Sequence, residues 1–292
     1  MVREGRGRIR RLGMLMFGAF LAGLLVVGAV FLFQGQGSAP SPLAPPPAAQ
    51  PPAQAAKAVP PPATPLSPRL AIVVDSLGYE PSRDAEWLKL PARITVAVIP
   101  FGPSSRNVAE SARARGWGVI LHVPMEPESP ASDRTERFRI RRGMSADEME
   151  SLLSRMADGL PHATGASNHM GSAVTADPEA MAAYVSVLKK KGFFLLDSVT
   201  TSKSVALEAA QAAGIPAARR DVSLAAGMNR EEMRRQWDRA VSIARKRGMA
   251  ILICQGRIES LRMLLELLPR LKDEAVQAVT LDDLLLGKGP QG

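Results

Sequence analysis

Short apolar runs separated by longer amphipathic stretches organise the chain from residue 69 onward. Five of these runs cover residues 70–74, 94–99, 119–123, 193–196 and 249–253. They are nearly continuous, which is typical of strands that are buried on both faces. Because helical patterns alternate with them, the sequence predicts a parallel sheet with right-handed crossovers. About seven such units would form either an open doubly wound sheet or a (β/α) barrel, and periodicity alone does not separate the two.

Capping residues mark the predicted helix starts. Ser145 and Asn229 are each followed three residues later by a glutamate, which is the spacing of a capping box. Asp177 precedes a proline and fits an N-cap position. The polar segment 126–142 is predicted to be a loop. Shorter strands are predicted within 165–175, 217–220 and 276–280.

Residues 12–33 contain no charged side chain and are long enough to cross a bilayer as a helix. Five arginines precede them within residues 1–11. By the positive-inside rule, residues 1–11 form a basic cytoplasmic tail, and everything after residue 33 lies beyond the membrane. A cleaved signal peptide is the alternative, but the residues after the run match a cleavage site poorly. We therefore expect a single-pass anchor in a bacterial inner membrane, with a periplasmic C-terminal domain.

Residues 34–68 are dominated by proline and alanine. Proline locks φ and removes backbone donors, so this stretch is predicted to be a semi-extended linker. The expected order is a basic tail at 1–11, a transmembrane helix at 12–33, a linker at 34–68 and a folded domain at 69–292.

The net charge of +9 does not indicate nucleic-acid binding. Residues 1–11 hold five arginines and one glutamate, a net +4, with no interleaved aromatic residues and no nucleic-acid motif. Cys254 is the only cysteine, which excludes an intrachain disulfide and a cysteine metal cluster.

Ionisable side chains lie at or just beyond the carboxyl ends of several predicted strands. They are Asp75, His122, Glu126, His169 and Asp197. Parallel strands share one carboxyl edge, where α/β folds build their sites, so these side chains are expected to converge. Imidazole and carboxylate groups suit Zn²⁺ or a similar divalent ion, with a spare carboxylate as general base.

Each of these residues also has a structural interpretation. A histidine after an apolar strand is often a hydrogen-bonded core residue, and Asp75 and Asp197 could cap the helices that follow them. His162 follows a predicted helix and is expected to be a structural or surface residue. The coincidence of position, rather than any one residue, favours a site.

Five segments together resemble the divergent polysaccharide deacetylase family, a remote branch of the carbohydrate esterases. They begin at residues 71, 122, 168, 197 and 220 and have the sequences AIVVDSLGY, HVPMEP, NHMGS, DSVT and RDV. The resemblance covers about residues 69–286 and implies a distorted or incomplete (β/α) barrel.

The resemblance also implies metal-dependent removal of acetyl groups from an N-acetylated envelope glycan. On this basis His122, His169 and Asp75 would hold a divalent metal, with Zn²⁺ expected. Asp75, Glu126 and Asp197 would be the catalytic carboxylates.

Three positions depart from the family pattern. Ser76 stands where the family has a second, metal-binding aspartate, Gln255 where it has a histidine, and Ala225 where it has another carboxylate. A site reduced in this way would hold a metal weakly. Two main hypotheses follow: an anchored, active deacetylase, or a catalytically impaired protein that binds glycan or an envelope protein through the same groove. A small-molecule hydrolase with a repurposed site is a third.

Overall fold

The computed structural model describes residues 67–129 and 135–287. The predicted basic tail, the transmembrane helix and all but the last residues of the linker lie outside this part of the chain. Among the described residues, no helix combines the length and the apolar character needed to cross a membrane.

Strands and helices alternate along the described residues, as the apolar pattern predicts. The strands are β1 (Arg69–Leu77), β2 (Thr95–Val98), β3 (Gly118–Met125), β4 (Gly165–Met170), β5 (Phe194–Asp197), β6 (Ala217–Arg219), β7 (Val222–Leu224), β8 (Met249–Gln255) and β9 (Gln277–Val279). The helices are α1 (Pro81–Trp87), α2 (Ser105–Ala114), α3 (Ala146–Gly159), α4 (Ser172–Thr175), α5 (Pro178–Lys191), α6 (Ala206–Ala213), α7 (Arg230–Arg247), α8 (Ile258–Leu267), α9 (Arg270–Asp273) and α10 (Leu281–Leu285).

The capping residues form the contacts that their spacing predicts. Ser145 and Asn229 each make a complete capping box with the glutamate three residues on, at the starts of α3 and α7. Asp177 accepts hydrogen bonds from two backbone amides at the start of α5. These side chains satisfy amide groups that have no partner within the helix.

All strand pairings in the described sheet are parallel, and the strand order is β6-β5-β4-β3-β2-β1-β8-β7. β9 pairs with the first residues of β1. The two edge strands, β6 and β7, are separated in sequence by only Arg220 and Asp221. The amide of Arg220 donates to Asp197 O (3.0 Å) on one side, and that of Asp221 donates to Ile251 O (3.0 Å) on the other. The sheet therefore curls until its edges nearly meet.

This architecture confirms the expected incomplete (β/α) barrel and excludes an open doubly wound sheet. The described residues form nine strands rather than about seven. β7 and β9 are three residues long, and β7 has no apolar run of its own that would reveal it.

Alternating side chains divide the strands between two apolar regions. The larger region lies between the sheet and the helices. The smaller fills the inside of the curled sheet and includes Ala71, Val73, Ala97, Ile120, Phe194, Leu196, Ile251 and Ile253. Since strand side chains alternate, the next inward positions along β1, β3 and β8 are Asp75, His122 and Gln255. A polar layer thus lies above the inner core, at the carboxyl ends of the strands.

Candidate functional site

Asp75 lies near the end of β1, in register with Gln255 of β8. Its Oδ1 accepts a hydrogen bond from the hydroxyl of Ser76 (3.1 Å), and its Oδ2 lies 3.8 Å from His122 Nε2. Burial raises the pKa of the Asp75 carboxyl from 3.8 to about 6, against the opposing effects of the Ser76 hydroxyl and the positive charge of Arg220. Asp75 therefore gains and loses its proton close to neutral pH.

His122 is held from below by Ser167. Its Nδ1 lies 2.9 Å from Ser167 Oγ, and that hydroxyl is also 3.5 Å from Leu121 O. With the hydroxyl donating to the carbonyl, Nδ1–H donates to Ser167 and Nε2 presents a lone pair toward Asp75. Burial, and then the nearby His169, lower the pKa of His122 well below its usual value, so the imidazole is neutral at neutral pH.

Asp75, His122 and Ser167 are connected like the acid, the base and the hydroxyl of a nucleophilic triad, but Ser167 cannot serve as the nucleophile. A nucleophile needs access to substrate, whereas Ser167 is 1% exposed and His122 2% exposed. The role of Ser167 is to orient the imidazole from beneath.

His169 completes the set of side chains that the structure brings together. Its ring centroid lies 5.0 Å from that of His122, with an angle of 65° between the ring planes. In the β3–β4 register, His122 is opposite Ser167 and His169 is opposite Pro124, two residues closer to the rim. His169 is partly exposed, so it lies above His122 at the opening.

The three predicted metal ligands are neighbours, but they do not fit a three-ligand metal centre as they stand. Two tetrahedral ligands at 2.0–2.2 Å from one zinc ion would be roughly 3.4 Å apart, less than the 3.8 Å between Asp75 Oδ2 and His122 Nε2. Ser76 offers a hydroxyl, already bonded to Asp75, where a further carboxylate would be needed. Throughout residues 67–129 and 135–287, no group of three or more His, Cys, Asp or Glu side chains is arranged to hold a metal ion.

Asp197 is not brought together with this group. Its side chain is fully buried, and its carboxylate accepts hydrogen bonds from Val199 N (2.8 Å), Ser204 Oγ (2.9 Å) and Arg219 Nε (3.1 Å). Leu196 points into the inner core, so alternation directs Asp197 to the outer face. These contacts give Asp197 a structural role and no support to an acid–base role, but it does not cap the following helix as expected, because the N-cap of α6 is Val205.

Glu126 lies at the rim, where its contacts hold a loop. Its Oε2 accepts from the amide of Arg142 (3.0 Å), and its backbone oxygen accepts from Ala173 N (3.1 Å) at the start of α4. These bonds tie the exit of β3 to the two segments beside it. The third histidine, His162, is exposed, as expected.

Arg220 is the member of the site that sequence reasoning missed. Its positive charge acts on Asp75 and Asp197, its Nη2 donates to Val199 O (2.9 Å), and burial lowers the pKa of its guanidinium. Ala218 on β6 packs against the inner core, and Arg220 directly follows that strand, in the two-residue connection to β7. The RDV segment was a signal for it, but only closure of the sheet places the side chain beside Asp75.

Comparisons with known proteins give relatives in two bacteria. The uncharacterized protein YibQ of Escherichia coli K12 is 35% identical over 199 residues, which are 68% of this chain and 62% of that protein. An uncharacterized protein of Haemophilus influenzae Rd is 35% identical over 196 residues, 67% of this chain and 69% of that protein. The matched region is thus less than two thirds of the length of the Escherichia coli relative.

A solved structure and a family model also match this chain. The crystal structure of an uncharacterized protein from Agrobacterium tumefaciens C58 superposes with a TM-score of 0.71 at 24% identity, over 75% of this chain and 89% of that chain. It therefore has the same fold. Residues 72–285 match the family model described as divergent polysaccharide deacetylase, which is well over half of the chain. The protein belongs to the divergent polysaccharide deacetylase family.

Proposed function

We propose that the folded domain binds an N-acetylated glycan of the bacterial envelope at the mouth formed by Asp75, His122 and His169. We further propose that its deacetylase chemistry is impaired, because the ligand set for a metal is incomplete. Family membership supports the substrate class, and the contacts around Asp75 support the loss of activity.

The observation that carries this proposal is the hydrogen bond from Ser76 to Asp75. In the family pattern the residue at position 76 is an aspartate that binds the metal. Here a neutral hydroxyl occupies the position and donates to Asp75 Oδ1 at 3.1 Å. The charge of Asp75 is met by this hydroxyl and by Arg220, both of which favour its ionised form. A hydroxyl is a poor substitute for a carboxylate as a zinc ligand.

The remaining polar groups suit a sugar. Gln255, in register with Asp75, carries an amide that can both donate and accept hydrogen bonds, and it is partly exposed. His169 at the opening and the guanidinium of Arg220 add further polar groups. Hydroxyl and acetamido groups of an N-acetylated sugar form hydrogen bonds with polar groups of this kind.

An active deacetylase is the second candidate function. It is favoured by the convergence of Asp75, His122 and His169, and by a pKa of about 6 for Asp75, which suits a general base near neutral pH. This candidate requires a divalent ion, with Zn²⁺ the best match to two imidazoles and a carboxylate, to draw the three side chains closer together.

We also propose that residues 12–33 anchor the protein in the inner membrane and that the domain lies in the periplasm. The uncharged apolar run and the arginines before it support this topology. Protease digestion of spheroplasts tests it: the folded domain should be digested from outside, and digestion only after lysis would contradict the topology.

Metal content and glycan binding of the purified full-length chain test the function. After incubation with excess Zn²⁺, the wild type should retain far less than one equivalent, yet bind an N-acetylated oligosaccharide with or without the metal. Ser76→Asp should retain about one equivalent, and Ser76→Asp combined with His169→Ala should lose it. Aspartate is suited to this position because residue 76 has φ +62°, which aspartate tolerates better than most residues.

The opposite result would favour the active enzyme. One equivalent of zinc in the wild type, lost in His169→Ala, together with release of acetate from an acetylated glycan, would overturn the impaired-site proposal. A folded wild type that binds no N-acetylated oligosaccharide would overturn the glycan-binding proposal.

A further inference from the structure

An exposed aromatic ring stands beside the mouth. Phe101 follows β2, which lies between β1 and β3, the strands that carry Asp75 and His122. The segment that leaves β2 therefore emerges between these two site residues. Phe101 is 39% exposed, although the chain holds few aromatic residues and most large apolar side chains of the described region are buried.

The backbone of Phe101 is strained. Its φ is +64°, in the left-handed region that a bulky residue rarely adopts. Such conformations persist only where the surrounding structure determines them, and they cluster at binding and catalytic sites. A glycine would suit this backbone better, so a phenylalanine here calls for a role that needs the ring.

The neighbouring contacts hold this strained segment rigidly. Ser105 Oγ donates to Ile99 O (2.6 Å) and accepts from Gly102 N (2.9 Å). Gly102 also lies against the loop after β1, since a Cβ at this position would be 2.1 Å from Gly78 O. The two loops that flank the ring are thus packed directly on each other.

Two side chains support the ring and leave part of it open. Phe138 meets Phe101 edge-to-face, with ring centroids 5.1 Å apart and an interplanar angle of 70°. The guanidinium carbon of Arg155 lies over the ring of Phe101, 5.8 Å from its centroid, so that a sugar would have to use the opposite face. The segment of Phe138 is fastened to the exit of β3, because Ile140 N donates to Pro124 O (2.8 Å). The ring is therefore positioned before any ligand arrives.

We propose that Phe101 is a stacking platform for the sugar unit next to the one held at the mouth. The C–H groups on one face of a pyranose ring are apolar and slightly positive, and they suit the negative face of an aromatic ring. Continuity with the mouth identifies the occupant as a second unit of the same glycan. This inference rests on the proposed function and adds to it that the ligand is an oligosaccharide rather than a single sugar.

Titration of the full-length protein with β-1,4-linked N-acetylglucosamine oligosaccharides of increasing length tests the platform. The wild type should bind longer oligosaccharides more tightly than the monosaccharide. Phe101→Gly should weaken binding of the longer ones by about tenfold, which is the effect of 1.4 kcal/mol, and leave the monosaccharide unchanged. Phe101→Tyr should retain wild-type affinity. Glycine accepts φ +64°, which offsets part of the packing lost at Phe138 and Arg155, so Phe101→Gly should stay folded and unfold only a few degrees below the wild type.

The outcomes separate this inference from the proposed function. If Phe101→Gly binds oligosaccharides of every length as tightly as the wild type does, the platform proposal is wrong and the proposal of glycan binding at the mouth is unaffected. Equal loss for the monosaccharide and the longer oligosaccharides would also overturn it, because the ring would then support the mouth itself. A wild type that binds none of these ligands would remove the proposed function and the platform with it.

Discussion

Replacing Asp75 by asparagine should stabilise the protein, and more so as the pH rises. The folded state holds the Asp75 proton up to a pKa of about 6, whereas an unperturbed carboxyl has the value 3.8. Between these values the folded state binds more protons than the unfolded state, so stability falls with increasing pH. The pKa shift of about two pH units corresponds to a destabilisation of about 3 kcal/mol. This destabilisation is absent below the pKa of the unfolded state and complete above the pKa of the folded state.

Asparagine escapes this penalty because it stays neutral, and its carbonyl can still accept the hydrogen bond from Ser76. Urea unfolding of both proteins should give a free-energy difference that grows in favour of the variant by about 3 kcal/mol from about pH 4 to about pH 8. The lowered pKa of His122 makes stability rise with increasing pH, which is the opposite trend. This contribution is common to both proteins and cancels in the difference between their free energies of unfolding.

Ser76→Ala provides the matched control. It removes the hydrogen bond that lowers the Asp75 pKa, so this variant should lose more stability than the wild type over the same pH range. If the free energies of unfolding of Asp75→Asn and the wild type differ by the same amount at both ends of this pH range, the Asp75 carboxyl is not desolvated and the electrostatic description of the site is wrong.

Three further outcomes test the surroundings of the site. Asp197→Ala should lower the free energy of unfolding by about 3 kcal/mol, because it removes a fully buried carboxylate that accepts three hydrogen bonds, and chemical denaturation will measure this loss. Gly102→Ala should cost about 2 kcal/mol in the same assay, since its Cβ would meet Gly78 O at 2.1 Å; unchanged stability would show that the two loops separate easily. Cys254 should resist alkylation in the native protein, because burial raises the pKa of its thiol to about 12, and should react once the protein is unfolded. Mass spectrometry of the alkylated protein measures this, and modification of native protein would contradict it.

Local signals predicted most of the elements. Continuous apolar runs revealed β1, β2, β3, β5 and β8, because a strand covered on both faces needs apolar residues at every position. Capping side chains at Ser145 and Asn229 marked helix starts, because that interaction depends only on neighbouring residues. β7 was missed because its sequence, Val222-Ser223-Leu224, contains no continuous apolar run, although β7 is an edge strand of the curled sheet.

The site shows the same division between local and long-range information. Asp75, His122 and His169 were expected to converge because each lies near the carboxyl end of a strand of one parallel sheet, and the structure brings them together. Asp197 was expected to join them, but an apolar run such as 193–196 does not reveal which face each side chain takes. Arg220 could not be placed from sequence, since its position depends on which strands lie at the two edges.

The three departures from the family pattern lie on one side of the mouth. Ser76 is the next-to-last residue of β1, Gln255 is the last residue of β8, and Ala225 directly follows β7. These three strands are adjacent, and Asp75 is directly in register with Gln255. The histidines lie on β3 and β4, on the other side of β1.

The three departures are therefore concentrated on the side of the mouth formed by β1, β8 and β7 and are not scattered over the site. Asp75 is the one charged ligand left on the altered side of the mouth, where the neighbouring positions offer a hydroxyl at position 76, an amide at position 255 and no polar side chain at position 225. A hydroxyl and an amide still form hydrogen bonds to a sugar, and Arg220 and Ser76 meet the charge of Asp75 within the protein. The altered side therefore lacks ligands that metal-dependent hydrolysis would need and keeps polar groups that can hydrogen-bond to a sugar, and for this reason we propose glycan binding rather than catalysis.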